Sequence, residues 1–203
     1  MEFLRRTPGR PARVGILPGA FNPPTVAHLA LARAARSHVQ EVVFVLPKVF
    51  PHKTYHGAEF EARVEMLRAS VAKEPDFSIA TANGGLFRSI ASECREVYGP
   101  AARLSFLCGR DAAERILNWD YGGETSVAGM LREFDLLVAA RRGDLEAPLH
   151  LRHAIDRLDL SDDFANVSST DVRERIARGE AWEHLVPEAA RELAAAIYRP
   201  KRP

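Results

Sequence analysis

Several things are scarce in this chain of 203 residues. Cysteine occurs only at Cys94 and Cys108, with no Cys-x-x-Cys pair. Two such residues read as buried thiols rather than as a disulfide framework or a metal site. No apolar run approaches the roughly 20 residues that a transmembrane helix needs, so no membrane partner is expected. Neither sign of charge dominates: 28 Lys and Arg stand against 27 Asp and Glu, a net charge of +1. That balance argues against a non-specific nucleic-acid binder, which wants a basic surface. Gly-x-Gly-x-x-Gly and Gly-x4-Gly-Lys-Ser/Thr are both missing, which removes the dinucleotide fingerprint and the P-loop. Internal repeats and low-complexity linkers are missing too. Residues 1–12 carry arginines and prolines without an apolar stretch behind them. They read as a loose lead-in and not a signal peptide, with a cytoplasmic protein as the expectation.

What remains is an ordinary ordered composition, 46% hydrophobic and 27% charged, in a chain long enough for one domain with a sizeable core. That domain is expected over 13–198, with a short tail at 199–203. Apolar, β-branched runs predict strands at Val14–Leu17, Val42–Leu46, Phe77–Ala80, Leu104–Cys108 and Phe134–Ala139. Phe164–Val167 is a weaker sixth. Helical periodicity fills the gaps at Val26–Ser37, Phe60–Ala72, Ile90–Val97, Ala112–Leu117, Thr125–Arg132, Thr170–Arg178 and Pro187–Tyr198. The alternation predicts an α/β fold, Rossmann-like and doubly wound. Its sheet is mostly parallel, five- or six-stranded, with helices on both faces. Ligands of such folds bind beyond the C-terminal edge of the sheet.

The segment after the first of these strands sits where that rule wants a site. It reads Gly19-Ala20-Phe21-Asn22-Pro23-Pro24-Thr25-Val26-Ala27-His28. Gly19 lets backbone approach a ligand closely. Thr25 is a good N-cap, which puts His28 at the third helical position, aimed at whatever the helix end holds. That end offers free N–H groups and the positive pole of the macrodipole, a setting for phosphate. Val167-Ser168-Ser169-Thr170-Asp171-Val172-Arg173 is a second such start. Ser168 and Asp171 approach a capping box, Gly179 closes the helix, and Val172 and Ile176 form its buried face. An arginine near a helix N-terminus opposes the macrodipole by about 0.3–1 kcal/mol. Hydroxyls, N–H groups and the Arg173 guanidinium converging on one anion would make that placement favourable.

The first segment resembles the Gly-x-Phe-Asn/Asp-Pro-x-His/Thr-x-x-His signature of the nucleotidyltransferase superfamily that includes nicotinate and nicotinamide mononucleotide adenylyltransferases. The second resembles its Ile/Val-Ser-Ser-Thr-x-x-Arg motif. Pro51-His52-Lys53 is similar to the family's Pro-His-Lys loop, and Ala62 to Leu67 to its Arg-x-x-Met-Leu helix. Gly109-Arg110-Asp111 resembles its Gly-x-Asp, Trp119 falls at its tryptophan position, and Arg141-Arg142-Gly143 stands where it has Arg-Pro-Gly. The resemblance implies adenylyl transfer from ATP to a pyridine mononucleotide. His28, Lys53 and Arg173 would be the catalytic residues. Gly19, Ala20, Phe21, Thr25, Gly109, Asp111, Ser168, Ser169 and Thr170 would join His28 and Arg173 around ATP. Asn22, Asn83, Trp119 and Arg141 would join Lys53 around the acceptor. Mg²⁺ would ride on the ATP phosphates, since no carboxylate cluster suggests a protein cage. His52 and His56, four apart between Pro51 and Gly57, read as a loop rather than a zinc pair.

One departure stands out. Ala82-Asn83-Gly84-Gly85-Leu86-Phe87-Arg88-Ser89 replaces the Ser-Tyr-Thr-type segment of the family's nicotinate enzymes. That leaves room for another phosphomonoester acceptor, for cytidylyl transfer, or for a regulator that keeps the nucleotide cradle alone. The sequence chooses no oligomeric state.

Overall fold

The computed structural model describes residues 1–49, 57–118, 126–139, 147–164 and 166–199. Seven strands form one sheet: β1 (Glu2–Arg5), β2 (Arg13–Pro18), β3 (Glu41–Pro47), β4 (Phe77–Ala82), β5 (Arg103–Gly109), β6 (Asp135–Ala139) and β7 (Ile155–Leu158). Their spatial order is β1-β4-β3-β2-β5-β6-β7. Every pairing is parallel except that of β1 with β4. The helices are α1 (Val26–Ala34), α2 (Phe60–Val71), α3 (Phe87–Tyr98), α4 (Arg110–Asn118), α5 (Val127–Met130), α6 (Ser169–Arg178) and α7 (Arg191–Tyr198).

Side-chain alternation along each strand divides the core in two. Val43 and Val45 of β3 join Leu104 and Phe106 of β5 on one face, under Ile90 and Cys94 of α3 and Ala113 of α4. Val42, Phe44 and Leu46 point the other way, with Phe77 and Ile79, onto Leu31 of α1 and Val64, Leu67 and Val71 of α2. A sheet buried on both faces explains why every residue of β3 and β4 is buried, Ser78 and Thr81 included, and why Val42–Leu46 is an unbroken apolar run. A third apolar group packs α6 and α7 together through Val172, Ile176, Ala190 and Ala194, and reaches Ala27 of α1 and Met66 of α2.

The five main expected strands and all seven expected helices are present within a few residues. Three expectations change. Residues 1–12 are not a loose lead-in throughout, because Glu2–Arg5 adds an antiparallel edge strand. Arg5 fastens that strand by donating to Glu74 O at 2.7 Å and also to Val71 O, and Arg68 donates to Leu4 O at 2.9 Å. Among the described residues the sheet therefore has seven strands rather than five or six. The last strand is Ile155–Leu158 and not Phe164–Val167. Ser161 competes for the latter's backbone: its carbonyl accepts from Phe164 N–H at 3.2 Å and its Oγ from Asp163 N–H, closing a 3₁₀ turn.

The strand order reverses between β2 and β5, which both neighbour the start of the winding. Ile16 lies opposite Phe106 in their register. Gly19 and Gly109 therefore each stand three residues beyond a paired position, side by side at the C-terminal edge. A crevice at this switch point is the place for a ligand.

Candidate functional site

The site is built on the turn that leaves β2. Gly19 N–H still donates to Val45 O at 3.0 Å, so the turn starts as an extension of the sheet. Phe21 takes φ of 48° and folds its buried ring back over Gly19, where an added Cβ would lie 3.0 Å from the ring. A side chain at Gly19 would therefore have to push the Phe21 ring aside by a few tenths of an ångström. The Asn22–Pro23 peptide bond is cis. Thr25 is fully buried and N-caps α1, as its sequence position predicts.

Thr25 and His28 form a closed pair. His28 Nδ1 accepts from the Thr25 backbone N–H at 3.0 Å and lies 2.8 Å from Thr25 Oγ1. The edge of Phe21 meets the imidazole at a centroid separation of 5.2 Å. A ring nitrogen that accepts from a backbone N–H carries no hydrogen, so the neutral imidazole bears its hydrogen on Nε2. The half-buried His28 is held as a donor by its own helix cap.

The backbone oxygens of the turn are engaged by side chains from later helices. Arg63 of α2, only 4% exposed, donates to Ala20 O at 2.9 Å. Arg173 of α6 donates to Asn22 O at 2.6 Å, and Ser169 Oγ to Pro23 O at 2.7 Å. Ser168 caps α6 by accepting from Asp171 N–H at 3.1 Å, and Gly179 closes it in the left-handed region. The N-termini of α1 and α6 consequently meet at one turn, with Arg173 between them. Ser168 and Thr170 are exposed, and Thr170 Oγ1 accepts from Arg173 at 3.3 Å. Two helix ends and a guanidinium around one backbone turn make a corner whose N–H groups and positive charge suit an anion.

Gly109 ends β5 and Asp111 is an exposed residue in the first turn of α4, so both stand on the same sheet edge as Gly19. Asn83 is exposed just past β4. Glu93 of α3 fixes its backbone by accepting from Asn83 N–H at 2.9 Å, and Phe87 stacks on Phe106 at 4.4 Å to seat the start of that helix. Asn22 differs from expectation. Its side chain is 4% exposed, and its Oδ1 accepts from Ala58 N–H at 3.1 Å and from the Tyr198 hydroxyl. The amide braces the turn from the protein side rather than reaching toward an acceptor. Lys53, Trp119 and Arg141, with His52 and His56, lie outside the described residues.

Sequence reasoning missed Arg63 and Tyr198 as braces of this corner, and Glu93 as the partner of Asn83. Arg63 could have been found, since an arginine on the buried face of α2 must meet an acceptor. Among the described residues no group of three His, Cys, Asp or Glu side chains could hold a metal ion. None of their helices is long and apolar enough to cross a membrane.

The family model described as Cytidylyltransferase-like matches residues 16–175, from the first parallel strand to the middle of α6. The chain therefore belongs to the cytidylyltransferase-like nucleotidyltransferases. A curated relative from Moorella thermoacetica, named "Probable nicotinate-nucleotide adenylyltransferase", is 32% identical over 95% of this chain and 94% of its own. One of the same name from Gloeobacter violaceus is 32% identical over 87% and 90%. Within the class, the chain is a member of the nicotinate-nucleotide adenylyltransferase family. Its fold is also that of the Plasmodium falciparum nicotinic acid mononucleotide adenylyltransferase. The form complexed with APC gives a TM-score of 0.69 at 14% identity, covering 92% of this chain and 96% of that one. The form complexed with NaAD gives 0.65 at 15% identity, covering 88% and 92%.

Proposed function

We propose that this enzyme transfers the adenylyl group of ATP to the phosphate of nicotinate mononucleotide, releasing pyrophosphate and forming a dinucleotide for NAD biosynthesis. The observation that carries the reading is the corner formed by Thr25, His28, Ser169 and Arg173 at the N-termini of α1 and α6. A phosphate oxygen of the acceptor attacks the α-phosphorus of ATP in line. The bond from that phosphorus to the bridging oxygen breaks, and pyrophosphate leaves with the electron pair. Positioning and charge neutralisation do most of the work in such a transfer.

His28 Nε2–H donates to the α-phosphate as charge shifts through the transition state, while Thr25 holds the opposite nitrogen. The α1 N-terminus and the Phe21–Thr25 turn sit beneath the triphosphate. Arg173 binds the β- and γ-phosphates, joined by Lys53 from the Pro-His-Lys segment. Ser168 and Thr170 hydroxyls add donors at the α6 end, and Asp111 takes ribose hydroxyls. Asn83, Trp119 and Arg141 hold the acceptor. Val49 and Leu86, exposed past the neighbouring strands β3 and β4, offer apolar surface for its planar ring. The corner is cationic and rich in N–H donors, and among the described residues no carboxylate cluster forms a metal cage, which fits Mg²⁺ carried in on the phosphates. There it would neutralise charge on the departing pyrophosphate.

The test is pyrophosphate release with ATP and Mg²⁺, offering nicotinate mononucleotide, nicotinamide mononucleotide or no acceptor. Release that depends on nicotinate mononucleotide is expected. ATP binding without release on either mononucleotide would refute the acceptor assignment.

A further inference from the structure

We infer that Tyr198, the last residue of α7, is a positioning residue for adenylyl transfer and acts through Asn22. The inference rests on the proposed reaction and adds to it an element far from the phosphate motifs in sequence. The Tyr198 hydroxyl donates to Asn22 Oδ1 across 176 positions of chain. That same oxygen accepts from Ala58 N–H at 3.1 Å, and the backbone carbonyl of Asn22 accepts from Arg173 at 2.6 Å. Asn22 is therefore gripped by α7, by α6 and by the segment leading into α2. Its amide also fits closely against Gly57, where an added Cβ would lie 1.9 Å from Asn22 Nδ2.

Such a residue has little freedom, and it sits three positions before Thr25. Between them run Pro23 and Pro24, whose fixed φ angles transmit a shift of Asn22 rather than absorbing it. Thr25 N–H in turn sets the His28 imidazole. The path from Tyr198 to the reacting phosphate is a hydrogen bond, a stiff dipeptide and a helix cap. The tyrosine ring itself is half-buried against the apolar group that joins α6, α7 and Ala27. A phenylalanine would keep that packing and remove the hydroxyl that donates to Asn22.

The experiment compares the full chain with Tyr198→Phe, measuring steady-state pyrophosphate release, thermal melting and the ¹⁵N signals of the His28 ring. Turnover per folded enzyme is expected to fall about tenfold, the worth of one buried hydrogen bond expressed in the transition state, with both KM values little changed. The His28 ring signals should move as well, which a purely packing role would not cause. Unchanged kcat with unmoved His28 signals would overturn the inference. So would a loss of activity that tracks only the unfolded fraction. If the parent chain releases no pyrophosphate with any mononucleotide, the proposed reaction fails instead. The His28 ring signals of Tyr198→Phe then decide this inference: a shift in the folded, ATP-binding chain supports it, and no shift overturns it.

Discussion

Replacing Arg173 separates two roles that the structure superimposes. Its guanidinium donates to Asn22 O at 2.6 Å and to Ser169 O at 3.2 Å, so it braces the turn before any ligand arrives. A hydrogen bond from a charged group contributes about 1.5–3 kcal/mol, and partial exposure places this one near the lower end. For a chain of this length about 1.5 kcal/mol corresponds to a fall in Tm of about 3–6 °C in Arg173→Ala. The same cation facing the ATP phosphates would contribute a further charge-assisted bond, also about 1.5–3 kcal/mol. Its loss would raise the KM for ATP by about tenfold to 150-fold. Arg173→Lys should fall between, because an ammonium keeps the charge but lacks the planar fork that spans two acceptors. Initial rates against ATP at saturating acceptor, beside melting curves with and without ATP, measure both effects. A lowered Tm with normal ATP saturation would show that Arg173 is a strut and not a phosphate ligand.

His28→Ala should abolish turnover and lower Tm only slightly, since the cap it completes is worth about 1 kcal/mol; turnover by the folded variant would refute its role. Gly57→Ala must displace the Asn22 amide 1.9 Å from the new Cβ, and it adds a side chain at φ of 154°. A destabilisation of about 1–3 kcal/mol with reduced activity is expected, read by denaturant melts and pyrophosphate release. Cys94 and Cys108 are buried, and burial pushes each thiol up to about 12. Neither should react with a thiol reagent at neutral pH in the native chain, and both should react in denaturant. Burial pushes the Glu74 carboxyl up, but hydrogen bonds from Arg33 and Arg36 outweigh it and hold it below the ordinary range; Arg36 likewise lowers Asp76. Carboxyls depressed in the folded state stabilise above their unfolded range, about pH 4, and lose that contribution as pH falls through the lowered folded values. The Tm gap between the parent chain and Arg36→Gln should accordingly be present at pH 7 and close below about pH 4, and a constant gap would refute the pairing.

What could be read in the sequence is what local chemistry decides. Thr25 as a cap, His28 at the third position, Ser168 opening α6 and Gly179 closing it all follow from contacts within a turn or two. The five central strands follow from their apolar runs, because a doubly covered sheet leaves no polar face to confuse the pattern. The edges were harder. Glu2–Arg5 is a strand because β4 lies ready to pair with it more than seventy residues later, and its own composition of two charges in four residues gives little sign. Ile155-Asp156-Arg157-Leu158 hides its role the same way, while Phe164 is drawn into a serine-led turn. Asn22 shows the limit most clearly. A polar residue in a ligand-binding motif reads as a ligand contact, and only the placement of Ala58 and Tyr198 reveals that its amide faces inward.

That inward face carries the wider point about this site. A turn that binds phosphate must aim its N–H groups outward, and the carbonyls it turns away still need donors inside the protein. Here those donors come from side chains: Arg63 takes Ala20, Arg173 takes Asn22 and Ser169 takes Pro23. Each belongs to a helix that follows the turn in sequence, and Tyr198 adds a fourth brace from near the end of the chain. The Thr25 N–H finds its partner locally in His28, but the carbonyls of Ala20, Asn22 and Pro23 are met by side chains from α2 and α6. The geometry of the turn is therefore a property of the assembled domain, complete only when α2, α6 and α7 have docked. Because the braces form on folding, in the proposed reaction ATP would meet a turn already ordered, and its binding energy would go to the phosphates rather than to arranging the backbone beneath them.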